Sequence, residues 1–525
     1  MCYPADPPRG RRSSPAQTAT VQNPFDTSGI RVDADGIRRY EGLRRNVVQM
    51  LHEVAERCPD RTAIVELGGP SATYAQLWER ARRVAGGLRD AGIAPGDRVA
   101  IGLPNGLDWV LAFWGAQLAG AVAVPLNTRL SETEAAFILG DCAAGHVVRP
   151  GESLPDGEPV EPADPEHRDV AALFYTSGTT GRPKGAMTTH ENFLSNIESV
   201  IRCRELDRDP GARHATLISV PLFHVTGCNS QLMTQVALGG TSVLMPRFEP
   251  AAFLAAIAEH RITLLTSVPT IYELVLRNPQ IAATDVSSVR TLSYGGAPIA
   301  PELVHRLLAA FPNARLGNGF GLSETSALAT FLPHEYAAAH ADSVGFPAPV
   351  VDVRLDSADP VSGAGELLVR GPNVVAGYWG DPVRTAETFV DGWLHTGDLA
   401  RIDDGMVRIV DRAKDMINRG GENVYSVEVE NVLAGHPDVL EVAAVGVPDP
   451  VMGEKVGAVV LPRAGVDADT LVPSLIAFAR TQLADFKVPQ FVRVLDGPLP
   501  RNAGGKVLKA SLRGAEDWIA VPRLR

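Results

Sequence analysis

The sequence predicts an α/β protein with a large N-terminal domain and a small α+β C-terminal domain. Between about residues 72 and 270, strand-like apolar segments alternate with helical ones, a pattern typical of parallel-rich sheets flanked by helices. After about residue 350 the strands become short and are separated by turn residues, which predicts a small β-barrel-like subdomain. A compact mixture of helices and strands begins near residue 413.

The amino-acid composition limits the classes of protein to which this chain can belong. The chain has 525 residues, of which 45% are hydrophobic, so it can bury more than one core. Its net charge of -12 argues against nucleic-acid partners, because phosphate backbones require opposing positive charge. The five cysteines are far apart and form no C-x-x-C pair, so neither a disulfide framework nor a zinc site is expected. We expect a cytoplasmic protein.

The first 24 residues are rich in proline and arginine, and no apolar stretch follows the arginines. This segment therefore predicts a disordered tail and not a secretory signal. We place the N-terminal domain at residues 25–412 and the C-terminal domain at residues 413–525, with a boundary close to Arg412–Lys414.

One apolar run, residues 107–127, is almost long enough to cross a membrane. Asp108, Gln117 and Pro125 interrupt it. We therefore predict a buried helix followed by a buried strand, and no integral membrane segment.

The loop "TSGTTGRPKG", residues 176–185, follows an apolar strand and is expected to precede a helix. Its glycines let the backbone bend around a ligand, and successive N–H groups in such a bend bind anions. Hydroxyls and Lys184 add further donors. Because Lys184 is followed by Gly185, the loop differs from the common P-loop, but its chemistry also suits a polyphosphate.

This loop resembles the phosphate loop of the adenylate-forming superfamily, which comprises acyl- and aryl-CoA synthetases, luciferases and peptide-synthetase adenylation domains. Seven further segments resemble family motifs in the family's order: "PLFHVTG", "YGGAPI", "NGFGLSET", "GELLVRGPNVVAGYW", "GWLHTGDLA", "VDRAKDMINRGGENVYSVEVE" and "PRNAGGKVLK". The resemblance covers about residues 45–512 and is nearest to fatty-acyl or aryl acid–CoA ligases. It implies that ATP activates a carboxylic acid as acyl-AMP, and that CoA then takes the acyl group as a thioester.

The resemblance also implies roles for residues of the first half-reaction. Glu324 would hold Mg²⁺, Ser323 would bond the α-phosphate and Phe320 would stack on adenine. Asp398 would accept from the ribose hydroxyls, and Arg412 would approach the ribose and phosphate. The phosphates would be cradled by Thr176, Ser177, Gly178, Thr179, Thr180, Gly181 and Lys184, and the wall beside adenine would be formed by Gly295, Gly296, Ala297 and Pro298.

Lys506, in the Gly-rich segment "NAGGK", would bridge the carboxylate and the α-phosphate during adenylation. Lys414 matches the family's hinge, about which a mobile C-terminal domain would rotate for the second half-reaction. Gly420 and Gly421 would then line the pantetheine tunnel, because side chains would block it.

Relatives that activate amino acids have an aspartate near the position of His224, which pairs with the substrate's ammonium group. Because this chain has His224 there, the resemblance favours an acid without an amine, with His224 as a gate beside the carboxylate. The predicted acyl pocket contains many small residues, which suggested room for a bulky or long acyl group. It comprises Val225, Gly227, Cys228, Gly295, Gly317, Gly319, Gly321, Leu322 and Ala327.

Two alternatives remain beside the acid–CoA ligase. One is a variant that loads a carrier protein or uses a supplied acyl-AMP, and the other is a nucleotide-binding pseudoenzyme. The chain departs from the family in a short Pro-rich segment before the phosphate loop and in Ser426, where proline is common. We expect a monomer or homodimer.

Overall fold

The computed structural model describes residues 23–177, 182–360, 362–501, 507–515 and 517–521. Two parallel-rich sheets, one antiparallel sheet and one mixed C-terminal sheet form the fold, which confirms the predicted class. Residues 1–22 of the predicted tail lie outside the described residues.

The largest sheet has nine strands and carries most of the predicted site on one edge. Its interior strands are parallel, and antiparallel strands close both ends. In spatial order the strands are Phe346–Pro347, Thr330–Leu332, Arg315–Phe320, Thr291–Gly295, Leu264–Ser267, Ala215–Ile218, Thr241–Leu244, Thr62–Glu66 and Ser71–Thr73.

The second sheet has five strands, three of its four pairings being parallel. Its strands are His146–Val148, Arg98–Ile101, Val122–Pro125, Val170–Ser177 and Pro183–Thr189. The last two strands are antiparallel and flank the predicted phosphate loop.

The two remaining large sheets lie after residue 350, where the sequence pattern changes. Several of their strands are short, as predicted, but Trp393–Asp403 and Val439–Asp449 have 11 residues each, so the expectation of short strands holds only in part. The antiparallel sheet comprises Asp352–Asp356, Gly365–Arg370, Phe389–Val390, Trp393–Asp403 and Met406–Arg412. The C-terminal sheet comprises Ile417–Arg419, Glu422–Val424, Val439–Asp449, Gly453–Pro462, Phe491–Val494 and Ile519–Ala520. A separate hairpin pairs Ile30–Val32 with Arg38–Tyr40.

Along the chain, most of the helices lie between strands of the first two sheets. The α-helices of the described residues are Val47–Arg57, Tyr74–Asp90, Leu107–Ala119, Glu132–Asp141, His190–Cys203, Thr234–Leu238, Pro250–Glu259, Pro269–Arg277, Pro301–Ala310, His334–Ala337, Pro382–Thr388, Ser426–Ala434, Ala468–Arg480 and Lys509–Arg513. A π-helix spans Thr226–Met233, and 3₁₀ turns span Pro279–Ala283, Ser323–Thr325 and Asp485–Lys487.

The apolar run after residue 106 forms the predicted buried helix and strand. All residues of Leu107–Ala119 except Asp108 are buried, and Gly120 ends the helix with a φ of 76°. The strand Val122–Pro125 follows it. Within the described part of the chain, no helix combines the length and apolar character needed to cross a bilayer.

The helix His190–Cys203 is the internal support of the site. Thr189 and Asn192 form a capping box at its start, which satisfies the first free N–H groups of the helix. Twelve of its residues are buried, including several polar ones that bond distant backbone groups. This helix thereby holds the segments around Leu328 and Val374, which flank the predicted site.

Candidate active site

The predicted phosphate loop joins two antiparallel strands. Thr176 faces Lys184 across the pair, and Ser177 faces Pro183. The expectation that a helix follows the loop is wrong, because the chain first pairs with the preceding strand and the helix begins only at His190. The predicted loop residues Gly178, Thr179, Thr180 and Gly181 lie outside the described residues, as does the side chain of Ser177.

Lys184, Glu324 and Tyr378 form what we call the phosphate-side cluster. The Lys184 Nζ lies 3.4 Å from the Tyr378 hydroxyl and 4.6 Å from the centre of its ring. The same hydroxyl donates to Glu324 Oε1 at 2.8 Å. Burial lowers the pKa of Lys184, while the Glu324 carboxylate opposes that shift. Two residues predicted from separate motifs are therefore joined through a third.

Tyr378 lies within the motif segment "NVVAGYW", but no role was predicted for it. Backbone bonds hold that segment against the strand after the phosphate loop: Trp379 N–H donates to the Gly185 carbonyl at 2.9 Å, and Met187 N–H donates to the Gly377 carbonyl at 2.9 Å. A tyrosine next to a glycine in this motif was the available signal, but its partners are distant in sequence.

Three predicted groups follow parallel strands of the nine-stranded sheet, two of them adjacent and the third separated from these by Leu264–Ser267. His224 follows Ala215–Ile218, and the exposed turn Gly296–Pro298, with Ala297 between, follows Thr291–Gly295. Phe320 ends Arg315–Phe320 and is half-buried, as are Ser323 and Glu324 just beyond it. Since carboxyl ends of parallel strands share one edge, these groups meet where α/β sheets commonly bind ligands.

His224 lies in a half-buried turn before the π-helix. Its ring centroid is 4.7 Å from that of Phe223, and its carbonyl accepts from Cys228 N–H at 3.0 Å. The π-helix Thr226–Met233 begins two residues after His224 and has eight residues. Such π-helical segments are frequent at functional sites.

The glycines of the predicted acyl pocket lie against protein atoms. A Cβ atom built on Gly317 would be 2.2 Å from the Phe331 ring, and one on Gly227 would be 2.4 Å from the Pro221 carbonyl oxygen. A Cβ on Gly295 or on Gly321 would lie 2.2 Å or 1.4 Å, respectively, from a backbone oxygen, and Gly319 faces Leu328 and Phe331. The expectation that these small residues leave spare volume therefore does not hold on these faces, because protein atoms fill them. Val225, Cys228 and Ala327 are buried, and Leu322 is half-buried.

Asp398 and Arg412 face each other on adjacent antiparallel strands. The Asp398 side chain is only 3% exposed, and its Oδ1 lies 2.9 Å from Arg412 Nε. Glu366, for which no role was predicted, orders the turn before Asp398. One of its carboxylate oxygens accepts from Gly397 N–H at 2.9 Å, and the other lies 2.9 Å from His395 Nδ1. A buried aspartate beside an arginine suits recognition of a polar ligand.

The predicted residues of the C-terminal part are less closely gathered. Lys414 is exposed, and its carbonyl accepts from Arg513 at 2.8 Å. Gly420 and Gly421 form a hairpin turn with φ values of 61° and 88°, a conformation that favours glycine. Lys506 lies outside the described residues.

A polar network crosses the predicted domain boundary and comprises the buried Asp411 and Ser426 and the half-buried Glu430 and Lys509. We call these four residues the Asp411 network. Ser426 donates to Asp411 from both its backbone N–H and its hydroxyl, the latter at 2.9 Å. Lys509 Nζ lies 2.7 Å from the Ser426 hydroxyl and 2.6 Å from Glu430 Oε1. Burial raises the pKa of Asp411 and of Glu430. The network binds the strand Met406–Arg412 to the C-terminal helices.

Comparison with known proteins identifies the family. The family model "AMP-binding enzyme" matches residues 51–161 and 147–379, and "AMP-binding enzyme C-terminal domain" matches residues 428–506. A feruloyl-CoA synthase of Amycolatopsis sp is 40% identical, over 87% of this chain and 96% of its own. A long-chain-fatty-acid–CoA ligase of Mycobacterium tuberculosis is 35% identical, over 89% and 98%.

Solved structures agree with these relatives. The o-succinylbenzoate CoA synthetase of Bacillus subtilis, in complex with an acyl-adenylate intermediate, superposes with a TM-score of 0.80 at 30% identity, covering 90% of this chain and 99% of its own. ATP-bound MatB from Rhodopseudomonas palustris also gives a TM-score of 0.80 at 30% identity, covering 89% and 98%. This chain therefore belongs to the AMP-binding enzyme family and is an ATP-dependent acid–CoA ligase of the adenylate-forming type.

Proposed function

We propose that the acid is a compact aryl acid of the phenylpropenoate type, and not a long-chain fatty acid. The observation that carries this proposal is the packing of Phe331 against Gly317, where a Cβ atom built on the glycine would lie 2.2 Å from the ring. Phe331 is buried. We infer that its ring would block a long alkyl chain on that side of the glycine-rich strand end.

Glycine-faced backbone also suits a planar substrate. Gly295 and Gly319 are directly paired on adjacent strands, so two stretches without side chains lie next to each other. Protein atoms fill the Cβ sides of both glycines, so a flat ring could stack only on the opposite side of this backbone. The feruloyl-CoA synthase is the more similar of the two relatives named above, which supports the same substrate class.

For the nucleotide we keep the roles that the resemblance implies. Lys184, with Thr176, Ser177 and the loop Gly178–Gly181, would bind the phosphates, and Ser323 would bond the α-phosphate. Phe320 and the segment Gly295–Pro298 would contact adenine, and Asp398 with Arg412 would contact the ribose. The support is that Asp398 is buried beside Arg412, and that Lys184 and Glu324 share one hydroxyl partner.

Glu324 fits a magnesium ligand. Its carboxylate is half-buried, and the oxygen Oε1 is ordered by the Tyr378 hydroxyl. Carboxylate and phosphate oxygens are the donors that Mg²⁺ prefers, and the bound ion would offset phosphate charge. One neighbouring structure, the Bacillus subtilis synthetase, contains ATP and a magnesium ion.

The second half-reaction rests on the predicted hinge. Lys414 would serve as the pivot, Lys506 would act during adenylation, and the Gly420–Gly421 turn would later line the path of pantetheine. His224 would gate the substrate carboxylate. The domain limits, a monomeric or homodimeric state and a cytoplasmic location stay predictions.

The test is pyrophosphate release from ATP with a panel of phenylpropenoic, benzoic, long-chain and polycyclic acids, with and without CoA. We expect phenylpropenoic acids to give the highest kcat/KM, with CoA raising turnover. Phe331→Leu should raise kcat/KM for longer acids relative to the aryl acids, whereas Phe311→Leu, a buried phenylalanine of a different core cluster, should not. A wild-type preference for long-chain acids would overturn the proposal, and acyl transfer to a carrier protein in place of CoA would favour the acceptor variant.

A further inference from the structure

The turn after Glu324 has an unfavourable backbone conformation. Ser326 has a φ of 53° and Ala327 a φ of 109°, both in the left-handed region that residues with side chains disfavour. The chain also passes very close to itself, because a Cβ on Gly321 would lie 1.4 Å from the Ala327 carbonyl oxygen. Such conformations persist only where the surrounding structure imposes them.

Three buried asparagines, Asn196, Asn229 and Asn373, impose this conformation; we call them the asparagine clamp. Asn229 Nδ2 donates to the Ser326 carbonyl at 3.1 Å. Asn196 Oδ1 accepts from Leu328 N–H at 3.0 Å. Asn373 Nδ2 donates to the Leu328 carbonyl at 2.9 Å and lies 3.3 Å from that of Thr325. All three side chains are fully buried, so these bonds are shielded from water.

The clamp draws on three separate parts of the fold. Asn196 belongs to the helix His190–Cys203, Asn229 to the π-helix, and Asn373 to the segment before Tyr378. That segment is itself fixed, since Asn192 donates to the Val374 carbonyl at 3.0 Å. The turn is therefore held by three separate parts of the fold.

The clamped turn is continuous with the residues proposed to bind the nucleotide. Ser326 N–H donates to the Ser323 carbonyl at 3.1 Å, and Val375 N–H donates to the Glu324 carbonyl at 3.0 Å. If Ala327 relaxed to an ordinary φ, both bonds would have to shift, and the Ser323 and Glu324 side chains would move with them. Shifts of about 1 Å at a reacting centre cost about 100-fold in rate.

We propose that the asparagine clamp is a positioning device that holds the strained turn so that Ser323 and Glu324 meet MgATP. This proposal rests on the proposed function, because it takes Ser323 and Glu324 as nucleotide-binding residues. The clamp asparagines are positioning residues, since they act through the backbone of the turn. The strain at Ala327 is then the consequence of holding a conformation that the turn alone would not adopt.

The test is a rescue experiment on the full chain. Asn229→Ala should lower kcat for pyrophosphate release about 10- to 100-fold and raise the KM for MgATP, because the turn relaxes. Adding Ala327→Gly should restore kcat to within about threefold of wild type, since glycine adopts a φ of 109° without strain. If the role of Asn229 were purely structural, Asn229→Ala would change the melting temperature and Ala327→Gly would not restore kcat.

Asn46→Ala is the matched control. Asn46 is also a buried asparagine, but it caps the helix Val47–Arg57 and bonds Asp164 at 2.8 Å. We expect a lower melting temperature with unchanged kcat and KM. Unchanged kinetics in Asn229→Ala, or loss of activity that Ala327→Gly does not recover, would overturn the positioning role.

The readouts separate this proposal from the proposed function. Kinetics are measured with whichever acid the wild type activates best, so an error in the acid class leaves the test intact. MgATP binding without acid is measured by calorimetry on the wild type and on Asn229→Ala. Failure of the wild type to bind overturns the nucleotide site and the clamp together, while equal binding and turnover by both proteins overturn the clamp alone.

Discussion

The phosphate-side cluster and the Asp411 network use similar residues in opposite ways. In the first, Lys184 reaches Glu324 through the hydroxyl of Tyr378, at 3.4 and 2.8 Å. In the second, Lys509 contacts Glu430 directly at 2.6 Å, and Ser426 adds a bond at 2.7 Å. The first cluster lies at the ligand edge of the sheet, and the second joins the N-terminal part to the C-terminal helices.

The intervening hydroxyl explains the difference in role. A lysine in contact with a carboxylate has its charge offset within the protein, whereas Lys184 retains charge that an anion can offset. Burial lowers the pKa of Lys184, so keeping it protonated costs free energy in the absence of a ligand. A phosphate recovers that cost on binding. The Asp411 network, by contrast, is complete without a ligand and contributes to stability.

The largest expected effect is that of Lys184→Met. Loss of the ammonium group should lower kcat/KM for MgATP about 100- to 1000-fold, because a preorganised charge opposite the phosphates is removed. The ligand-free protein should not be destabilised, since methionine removes a half-buried charge. Activity assays and differential scanning calorimetry measure the two effects. A lower melting temperature with normal MgATP kinetics would show that Lys184 contributes to stability and not to phosphate binding.

The pH dependence of MgATP affinity follows from the same lysine. The folded pKa of Lys184 lies below its ordinary value of 10.5, so the folded protein loses this proton at lower pH than the unfolded chain. Its contribution to stability is therefore present above pH 10.5 and is lost as pH falls through the lowered pKa. MgATP affinity should fall as pH rises through that pKa, and titration calorimetry at several pH values should show no such fall in Lys184→Met.

Lys509→Met should have the next largest effect, on stability. Removing one partner leaves Glu430 and Asp411 buried without their cation, at an expected cost of about 2 kcal/mol, less than for a completely buried pair. Denaturant unfolding measures this loss. The double variant Lys509→Met, Glu430→Met should recover part of it, because Glu430 then no longer carries an unpaired charge and only Asp411 lacks its cation. Equal losses in the single and double variants would contradict the pairing.

Tyr378→Phe tests the hydroxyl that separates the two charges. The variant keeps the ring below Lys184 but loses the donor to Glu324 Oε1. We expect about a tenfold rise in the Mg²⁺ concentration needed for half-maximal activity, because Glu324 is no longer ordered. Tyr74→Phe, which removes a buried hydroxyl bonded to Gly240, is the control. An unchanged Mg²⁺ dependence would show that the hydroxyl is structural.

Local patterns made much of the fold predictable. The helix Leu107–Ala119 and the strand after it follow from an apolar run with interruptions at the correct places, and Lys184 and Glu324 each lie in a short, recognisable motif. These features depend on neighbours in sequence. The resemblance then supplied the order of the motifs, which fixed the domain arrangement we expected.

The supporting contacts could not be predicted, because they join distant residues through backbone atoms. Tyr378 and Glu324 are 54 positions apart, and Asn196 and Leu328 are 132 apart. The sequence around an asparagine in a helix or turn does not indicate which backbone group its side chain will bond. The strand after the phosphate loop was missed for a related reason, since "PKGAMTT" has little apolar alternation and takes its conformation from pairing with Val170–Ser177.

The smallest expected effects come from Ser426, which departs from the proline common in the family. Ser426→Ala removes the hydroxyl between Asp411 and Lys509 but keeps the backbone N–H bond to Asp411, and should cost about 1 kcal/mol. Ser426→Pro removes that N–H as well. The residue is the first of the helix Ser426–Ala434, where proline fits the backbone. Any loss of stability in Ser426→Pro beyond that in Ser426→Ala therefore measures the N–H bond alone. Equal stability of the alanine and proline variants would mean that the hydroxyl carries the whole contribution of Ser426 to the Asp411 network.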